Sequence, residues 1–279
     1  MRTYYQLIKP GIVYGNAMTA LAAFVFASTA PFNFPLLFAT LFGLSFSIAA
    51  ACVVNNIIDR DIDVHMERTK KRAIPTGQIS IRKALIFAAV LGVIGFSLLF
   101  FYTNLYALFV TLFGVVVYLG LYTPLKRTTP HSTIVGALAG AVPPVVGYVA
   151  VTNELNGVAV LLFLILVCWQ MTHFFAISLF RMEEYRKAGL PVMSVYAGVM
   201  RTKIVMVLYT VLFGFALFAL VVTTHLGLLF TIPMTVTCVG WIILSGTGFH
   251  TKKETRWARS MFFYSLFALT LFSVLLALS

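Results

Sequence analysis

Residues 10–58 read PGIVYGNAMTALAAFVFASTAPFNFPLLFATLFGLSFSIAAACVVNNII, a run of 49 residues without one Lys, Arg, Asp or Glu. A helix needs about 20 predominantly apolar residues to cross the hydrocarbon core of a bilayer. This run therefore holds two spans, with the turn at STAPFNFP, residues 28–35. Further charge-free runs follow at 84–125, 128–153, 155–180, 204–251 and 260–279, and turn sequences sit inside two of them, YTNLY at 102–106 and TTHLG at 223–227. The predicted spans are 11–30, 36–58, 82–101, 106–123, 133–152, 157–180, 203–223, 227–247 and 260–279, nine in all.

Composition agrees. The 279 residues are 61% hydrophobic, 15% aromatic and only 10% charged, with a mean hydropathy of +0.97. A soluble domain carries about 25% charged residues, so a water-soluble enzyme, a disordered chain and a fibrous repeat are excluded. A transmembrane barrel needs short alternating segments, which are absent here. The fold class is all-α, a polytopic membrane protein of nine transmembrane helices, read as one transmembrane domain over 1–279 with no soluble domain or long linker.

With nine spans, the N-terminus and the loops near 59–81, 124–132, 181–202 and 248–259 share a face. They carry all 20 Lys and Arg residues, while the other face carries only Glu154 as a formal charge. The positive-inside rule puts the basic face and the N-terminus in the cytoplasm and the C-terminus outside. The net charge of +12 is then explained by basic loops at an anionic leaflet, with no nucleic acid. Cys52, Cys168 and Cys238 lie far apart within spans and read as small buried apolar residues. MRTYYQLIKPG at the start lacks a cleavable signal pattern, so the first span is expected to direct its own insertion.

Acids are rare near membranes and tend to be functional there. Seven of the eight lie on the basic face, in two clusters and a lone Glu254. The first cluster is VNNIIDRDID, 54–63. If the helix continues, Asn55, Asp59 and Asp63 fall at i, i+4 and i+8 on one face, with Asp61 roughly opposite. Three oxygen-bearing side chains in a stripe suit a hard cation, and magnesium is usually held by one or two carboxylates, waters and substrate phosphates. The other reading is a solvated helix end whose acids pair with Arg60, Arg68 and Lys70. Next comes ERTKKRAIPTG, 67–77, where Arg68, Lys70, Lys71 and Arg72 offer the cations that a magnesium diphosphate needs. Lys9, Lys126 and Arg127 add more, each also readable as a positive-inside residue.

The second cluster ends WQMTHFFAISLFRMEEYRKAG, 169–189. His173 sits in an otherwise apolar span about two turns before Arg181, and reads either as a packing residue or as a ligand. Glu183 and Glu184 either hold a metal or pair with Arg186 and Lys187. In the fifth span Gly136 and Gly140 form a small-xxx-small pattern that allows close helix approach, and Pro143–Pro144 should kink or break that span.

N-x-x-x-D-x-x-x-D at Asn55–Asp63, with the D-R-D-I-D core and its M-E-R-T-K-x-R continuation, resembles the first Asp-rich motif of the UbiA superfamily of intramembrane prenyltransferases. The closest likeness is to the branch that prenylates heme. It extends to Lys9-Pro10-Gly11, Y-x-x-x-x-K-R at Tyr122–Arg127, A-G-A-x-P-P-x-x-G-Y at Ala139–Tyr148, W-Q-M-x-H at Trp169–His173 and F-R-x-x-x-Y-x-x-A-G-x-P at Phe180–Pro191. The resemblance implies a UbiA-type bundle that ionises farnesyl diphosphate with Mg2+ as cofactor and attaches the farnesyl cation to a vinyl group of heme b. It further implies Asn55, Asp59 and Asp63 as metal and diphosphate ligands, with Glu184 as the opposing carboxylate. Arg68, Lys70, Arg72, Lys126, Arg127 and Lys9 become diphosphate contacts, and His173 and Arg181 become heme-side residues. Farnesyl diphosphate, heme b and the lipid bilayer are the implied partners, and a heme A synthase or terminal oxidase the implied protein partner. A quinone precursor such as 4-hydroxybenzoate is the competing acceptor. A transporter is disfavoured, because its ionisable residues would lie near the midplane. Two positions depart from the branch: Thr172 stands where Pro is usual, and Met193-Ser194 where Leu-Pro is usual.

Overall fold

The computed structural model describes residues 2–67 and 69–279; Arg68 lies outside them. Among the described residues nine helices are long and apolar enough to cross a membrane: α1 Pro10–Ala27, α2 Phe34–Ile58, α3 Ile81–Tyr102, α4 Leu105–Leu125, α5 Ser132–Thr152, α6 Gly157–Phe180, α7 Gly198–Thr224, α8 Leu228–Thr247 and α9 Glu254–Ala277. Side-chain amides close several of the turns. Asn33 Oδ1 accepts from the Leu36 amide at 3.0 Å, Asn104 Oδ1 from Ala107 at 2.9 Å, and Asn156 Oδ1 from Val158 at 3.1 Å, each satisfying an orphan donor of a helix start.

The nine predicted spans are all present, but α7 begins at Gly198 rather than 203 and α9 at Glu254 rather than 260. Charges ended the predicted spans, and here charges lie inside the helices. The buried Lys203 ammonium donates to Glu254 Oε1 at 2.7 Å and to the Gly248 carbonyl at 2.6 Å. It also lies 5.4 Å from the centroid of the Trp257 ring. Paired this way, a buried ammonium is tolerable, and Glu254 does not stand alone.

The chain forms two compact units. The first comprises residues up to Leu125 together with Val142–Glu154. Its α2 and α3 meet backbone to backbone: a Cβ on Gly95 would lie 2.8 Å from the Gly43 carbonyl oxygen and 2.6 Å from Ser47 Oγ. The short N-terminal helix Arg2–Leu7 and the 64–80 loop are pinned by apolar contacts, with Leu7, Ala73, Ile74 and Ile79 packed among Val53, Ile57, Ala84 and Ala88. Asn56 Nδ2 donates to the Leu7 carbonyl at 2.8 Å.

The second unit comprises Lys126–Ala141 and Leu155–Ser279. Here α6 is the central element: Trp169 Nε1 donates to the Ser265 carbonyl of α9 at 2.6 Å, and Gln170 Nε2 to the Ala137 carbonyl of α5 at 3.3 Å. Gly140 faces Gln170 so closely that a Cβ there would lie 2.0 Å from Oε1.

As expected, α5 is interrupted, at Ala141 between Ser132–Gly140 and Val142–Thr152. Pro143 and Pro144 carry no N–H, so the carbonyls four residues back, on Ala139 and Gly140, lose their helical partners. The three cysteines are free and buried. Large apolar side chains such as Phe101, Phe109, Phe215, Phe218, Val236 and Phe263 are exposed, as lipid-facing residues are in a bundle with no water to avoid.

Candidate functional site

The predicted stripe forms. α2 ends at Ile58, Asp59 has φ −85° and ψ 1°, and a short helix, Arg60–Asp63, follows at once. The i→i−4 ladder survives the join: the Asp59 amide donates to the Asn55 carbonyl at 2.9 Å, and the Asp63 amide to the Asp59 carbonyl at 2.9 Å. The three side chains therefore stack on one face. Asn55 is 2%, Asp59 5% and Asp63 4% exposed, whereas Asp61 and Arg60 are exposed. Burial separates this stripe from a solvated helix end, because carboxylates are almost never buried without cations.

Arg72 and Lys9 are bonded to it. Arg72 donates through one nitrogen, Nη1, to Asp63 Oδ1 at 2.9 Å and Oδ2 at 2.7 Å. The chain can return to Asp63 because Thr69 Oγ1 donates to the Asp63 carbonyl at 3.0 Å and because Ala73 and Ile74 are packed into the apolar cluster. Lys9 Nζ donates to Asn55 Oδ1 at 2.5 Å. Lys9 has φ 53°, a left-handed conformation that a residue with a Cβ adopts at a cost, and it immediately precedes Pro10 at the start of α1. Such a conformation directs attention to Lys9, which sequence alone reads equally as a positive-inside residue.

The orientation of the Asn55 amide is set by a residue that sequence reading missed. At the end of α4 the chain winds into a π-helix, Val117–Tyr122, a distortion frequent at functional sites. It brings the buried Thr123 hydroxyl to 2.8 Å from the Tyr118 carbonyl. That carbonyl only accepts, so Thr123 spends its one proton there and accepts from Asn55 Nδ2 at 3.1 Å. The amide oxygen of Asn55 is thereby turned toward Lys9. No motif at 117–123 announces this, because a π-turn depends on side-chain packing rather than on a residue signature.

Lys70 is exposed and pairs with Glu67 at 2.6 Å. Lys126 and Arg127 are half-buried in the turn after α4. The Arg68 assignment falls outside the described residues.

In the second unit, His173 is buried on α6. Its ring stacks on Trp169 with centroids 4.8 Å apart and 19° between planes, and lies 4.9 Å from Phe262 of α9. Its Nδ1 is 2.7 Å from Ser265 Oγ. Immediately after α6, Arg181 donates to Glu184 at 3.0 Å and lies 5.4 Å from the Phe180 centroid. Arg259 of α9 is 6.0 Å from the same ring. Glu183 pairs with Arg186. His173, Arg181 and Glu184 thus belong to one aromatic and basic neighbourhood, to which the structure adds Ser265, Phe262 and Arg259. The two departures from the family pattern are both hydroxyls on buried backbone carbonyls: Thr172 Oγ1 lies 3.4 Å from the Met206 carbonyl, and Ser194 Oγ donates to the Ser178 carbonyl at 2.9 Å.

Comparison with known proteins identifies the setting of these residues. The pattern of the UbiA prenyltransferase family matches residues 16–267. Protoheme IX farnesyltransferase of Acinetobacter baylyi is 42% identical over 275 residues, 98% of this chain and 94% of that protein. The protein of the same name from Serratia proteamaculans is 39% identical over 279 residues, 100% of this chain and 94% of its own. Among solved structures, a UbiA homolog from Aeropyrum pernix K1 superposes with a TM-score of 0.78 at 19% identity over 95% of this chain and 96% of its own. A homolog from Archaeoglobus fulgidus, described as bound to GPP and Mg2+, gives 0.72 at 15% over 98% and 99%. With the family pattern spanning most of the sequence, close relatives along its whole length and the same helical fold in solved members, this chain belongs to the UbiA prenyltransferase family and is a prenyl-transferring enzyme of the membrane.

Proposed function

We propose that the enzyme transfers the farnesyl group of farnesyl diphosphate to a vinyl group of heme b (protoheme IX), giving heme O and diphosphate. It works with Mg2+ on the cytoplasmic side of the inner membrane, with the N-terminus cytoplasmic and the C-terminus outside. The observation that carries this reading is the buried oxygen stripe Asn55–Asp59–Asp63 with Arg72 and Lys9 bonded to it, in a chain whose relatives are named for that prenyl donor and acceptor. The whole chain, 1–279, acts as one prenyltransferase domain, which the extent of the family match supports.

The donor set fits magnesium. The oxygens of Asn55 and Asp63 already bind an ammonium and a guanidinium, so they are cation sites, and they are hard oxygen ligands. Among the described residues no three His, Cys, Asp or Glu side chains group as a metal cage. Two carboxylates on one stripe match the one or two with which a Mg2+ shared with substrate phosphates is usually held. Asn55, Asp59 and Asp63 would hold the ion, which supplies charge neutralisation on the leaving diphosphate.

The remaining work belongs to the protein. Arg72 and Lys9 give N–H donors to diphosphate oxygens as the allylic C–O bond breaks and its electron pair leaves with diphosphate. The vinyl carbon of heme b forms the new C–C bond, and water adds to the resulting cation and releases a proton, leaving a hydroxyethylfarnesyl group. Arg68, Lys70, Lys126 and Arg127 are further contacts to the diphosphate. His173 and Arg181 serve the heme, as an iron ligand or hydrogen-bonding partner and as a propionate cation. Glu184 as a further metal ligand rests on the family resemblance. A heme A synthase or terminal oxidase, which consumes such a product, is the corresponding protein partner.

The geometry ranks the cations. Arg72→Gln should lower turnover by about 10²-fold, as loss of one donor to a developing anion does. Lys70→Gln, at an exposed pair, should change it by less than about 2-fold. Steady-state rates of the two purified variants check this order.

Purified enzyme given farnesyl diphosphate with either heme b or 4-hydroxybenzoate, followed by product mass, tests the reaction. The expected product is heme b heavier by one farnesyl group and one hydroxyl. Prenylated 4-hydroxybenzoate with unmodified heme would assign the enzyme to the quinone branch instead.

A further inference from the structure

We infer that Ser265 is a positioning residue that holds His173 in one tautomer, with the proton on Nδ1 and the lone pair of Nε2 presented to the heme iron. The inference rests on the reading above that His173 serves the heme, and the tautomer itself follows from proton counting within the second unit.

Ser265 Oγ lies 2.7 Å from His173 Nδ1 and 2.6 Å from the Phe262 carbonyl oxygen. A hydroxyl has one proton and a carbonyl has none to give. Were the proton directed to His173, two oxygen lone pairs would face each other at 2.6 Å in a site where Ser265 is 0% exposed. An unmade bond of that kind is costly when buried. The proton therefore goes to the Phe262 carbonyl, and Ser265 Oγ accepts from His173 Nδ1–H. In the neutral ring this leaves Nε2 as an acceptor, and among the described residues it has no hydrogen-bond partner.

The ring cannot easily turn to exchange its nitrogens. Trp169 stacks on it at 4.8 Å, and the Trp169 indole is itself anchored by its bond to the Ser265 carbonyl. Phe262 packs against it at 4.9 Å. One residue of α9 thus fixes the imidazole through its side chain and the stacking indole through its backbone. An imidazole used as a metal ligand characteristically donates its other ring N–H to an oxygen that sets its orientation and basicity. Here that oxygen is a serine hydroxyl whose own proton is already committed. The histidine is then a lone-pair donor toward an electrophile, which for heme b is the iron, rather than an N–H donor toward a propionate.

The test uses full-length protein in lipid nanodiscs, with 15N-labelled histidine and His173→Gln to assign the His173 resonances. The expected wild-type signature is a protonated Nδ1 and an unprotonated Nε2, and in Ser265→Ala a mixture of tautomers. The same samples are titrated with ferric heme b and followed in the Soret region. Wild type should show a histidine-ligated spectrum that His173→Gln lacks, and Ser265→Ala should bind about tenfold more weakly, the lower end of the usual effect of an orienting partner. A wild-type His173 carrying its proton on Nε2, or a tautomer unchanged by Ser265→Ala, would overturn the inference whatever the heme spectra show. The predicted tautomers with identical heme spectra in all three proteins would instead overturn the assignment of His173 to the heme, and the proposed use of its lone pair with it.

Discussion

Asp63→Asn should reduce prenyl transfer by about 10³-fold, and Asp59→Asn by about 10²- to 10³-fold, while both proteins still insert and fold. Losing one preorganised partner of a developing charge typically costs that much, and a metal ligand is a more severe loss than a single N–H donor. The larger effect is expected at Asp63, because Arg72 is bonded to both of its oxygens. Neutralising Asp63 removes a ligand and frees the guanidinium from its anchor in the same step. The structural cost should be modest: the Arg72 side chain is 24% exposed and regains water, and the neighbouring Ala73 and Ile74 stay packed in the apolar cluster. Rates of both variants, measured beside thermal unfolding in detergent, check the prediction. Near-normal turnover in both would remove the stripe from the chemistry.

The largest stability effect is expected at Gly147, in the second half of α5. An added Cβ there would lie 2.0 Å from the Ala20 carbonyl oxygen and 2.9 Å from its carbonyl carbon. Backbone cannot rotate away as a side chain can, so α1 would have to move bodily, and it carries the Lys9–Pro10 entry to the candidate site at its start. Overpacking a tight core costs about 1–3 kcal/mol and sometimes more; Gly147→Ala belongs at or above the upper figure. Gly140→Ala meets an equally close atom, but it is the tip of the Gln170 side chain, which can swing aside at the loss of bonds such as that to Ala137. Gly140→Ala should therefore be the milder change. Thermal unfolding of the two variants in the same detergent decides the order, and equal shifts would contradict this distinction between backbone and side-chain contact.

The sequence was most legible where one physical rule acts alone. Lipid excludes unpaired charge, so gaps between charges, divided at three turn sequences, located the nine helices among the described residues and most of their ends. The 3.6-residue period stacked Asn55, Asp59 and Asp63, and the ladder through Asp59 kept that stacking across the end of α2. The same charge rule misplaced the starts of α7 and α9, because Arg201 lies inside α7 and Glu254, Arg256 and Arg259 lie inside α9, with Glu254 paired to the buried Lys203. The run Arg68–Arg72 looked like one cationic patch, yet among its described residues loop packing brings Arg72 to the stripe while Lys70 turns to Glu67. Thr123 and Ser265 were invisible for a shared reason. Each acts by accepting a hydrogen bond on a side chain whose role was already suspected, and hydroxyls of this kind occur throughout the spans without any marking pattern.

Binding of a non-reactive farnesyl diphosphate analogue, with and without Mg2+, to wild type and to the Asp59→Asn/Asp63→Asn double variant tests the central claim most directly. The expected result is tight binding to wild type that weakens by about 10²-fold when Mg2+ is withdrawn, together with equally weak binding to the double variant that Mg2+ does not improve. A double variant that binds the analogue as wild type does, with the same response to Mg2+, would show that the buried stripe at the end of α2 is not where the diphosphate is held.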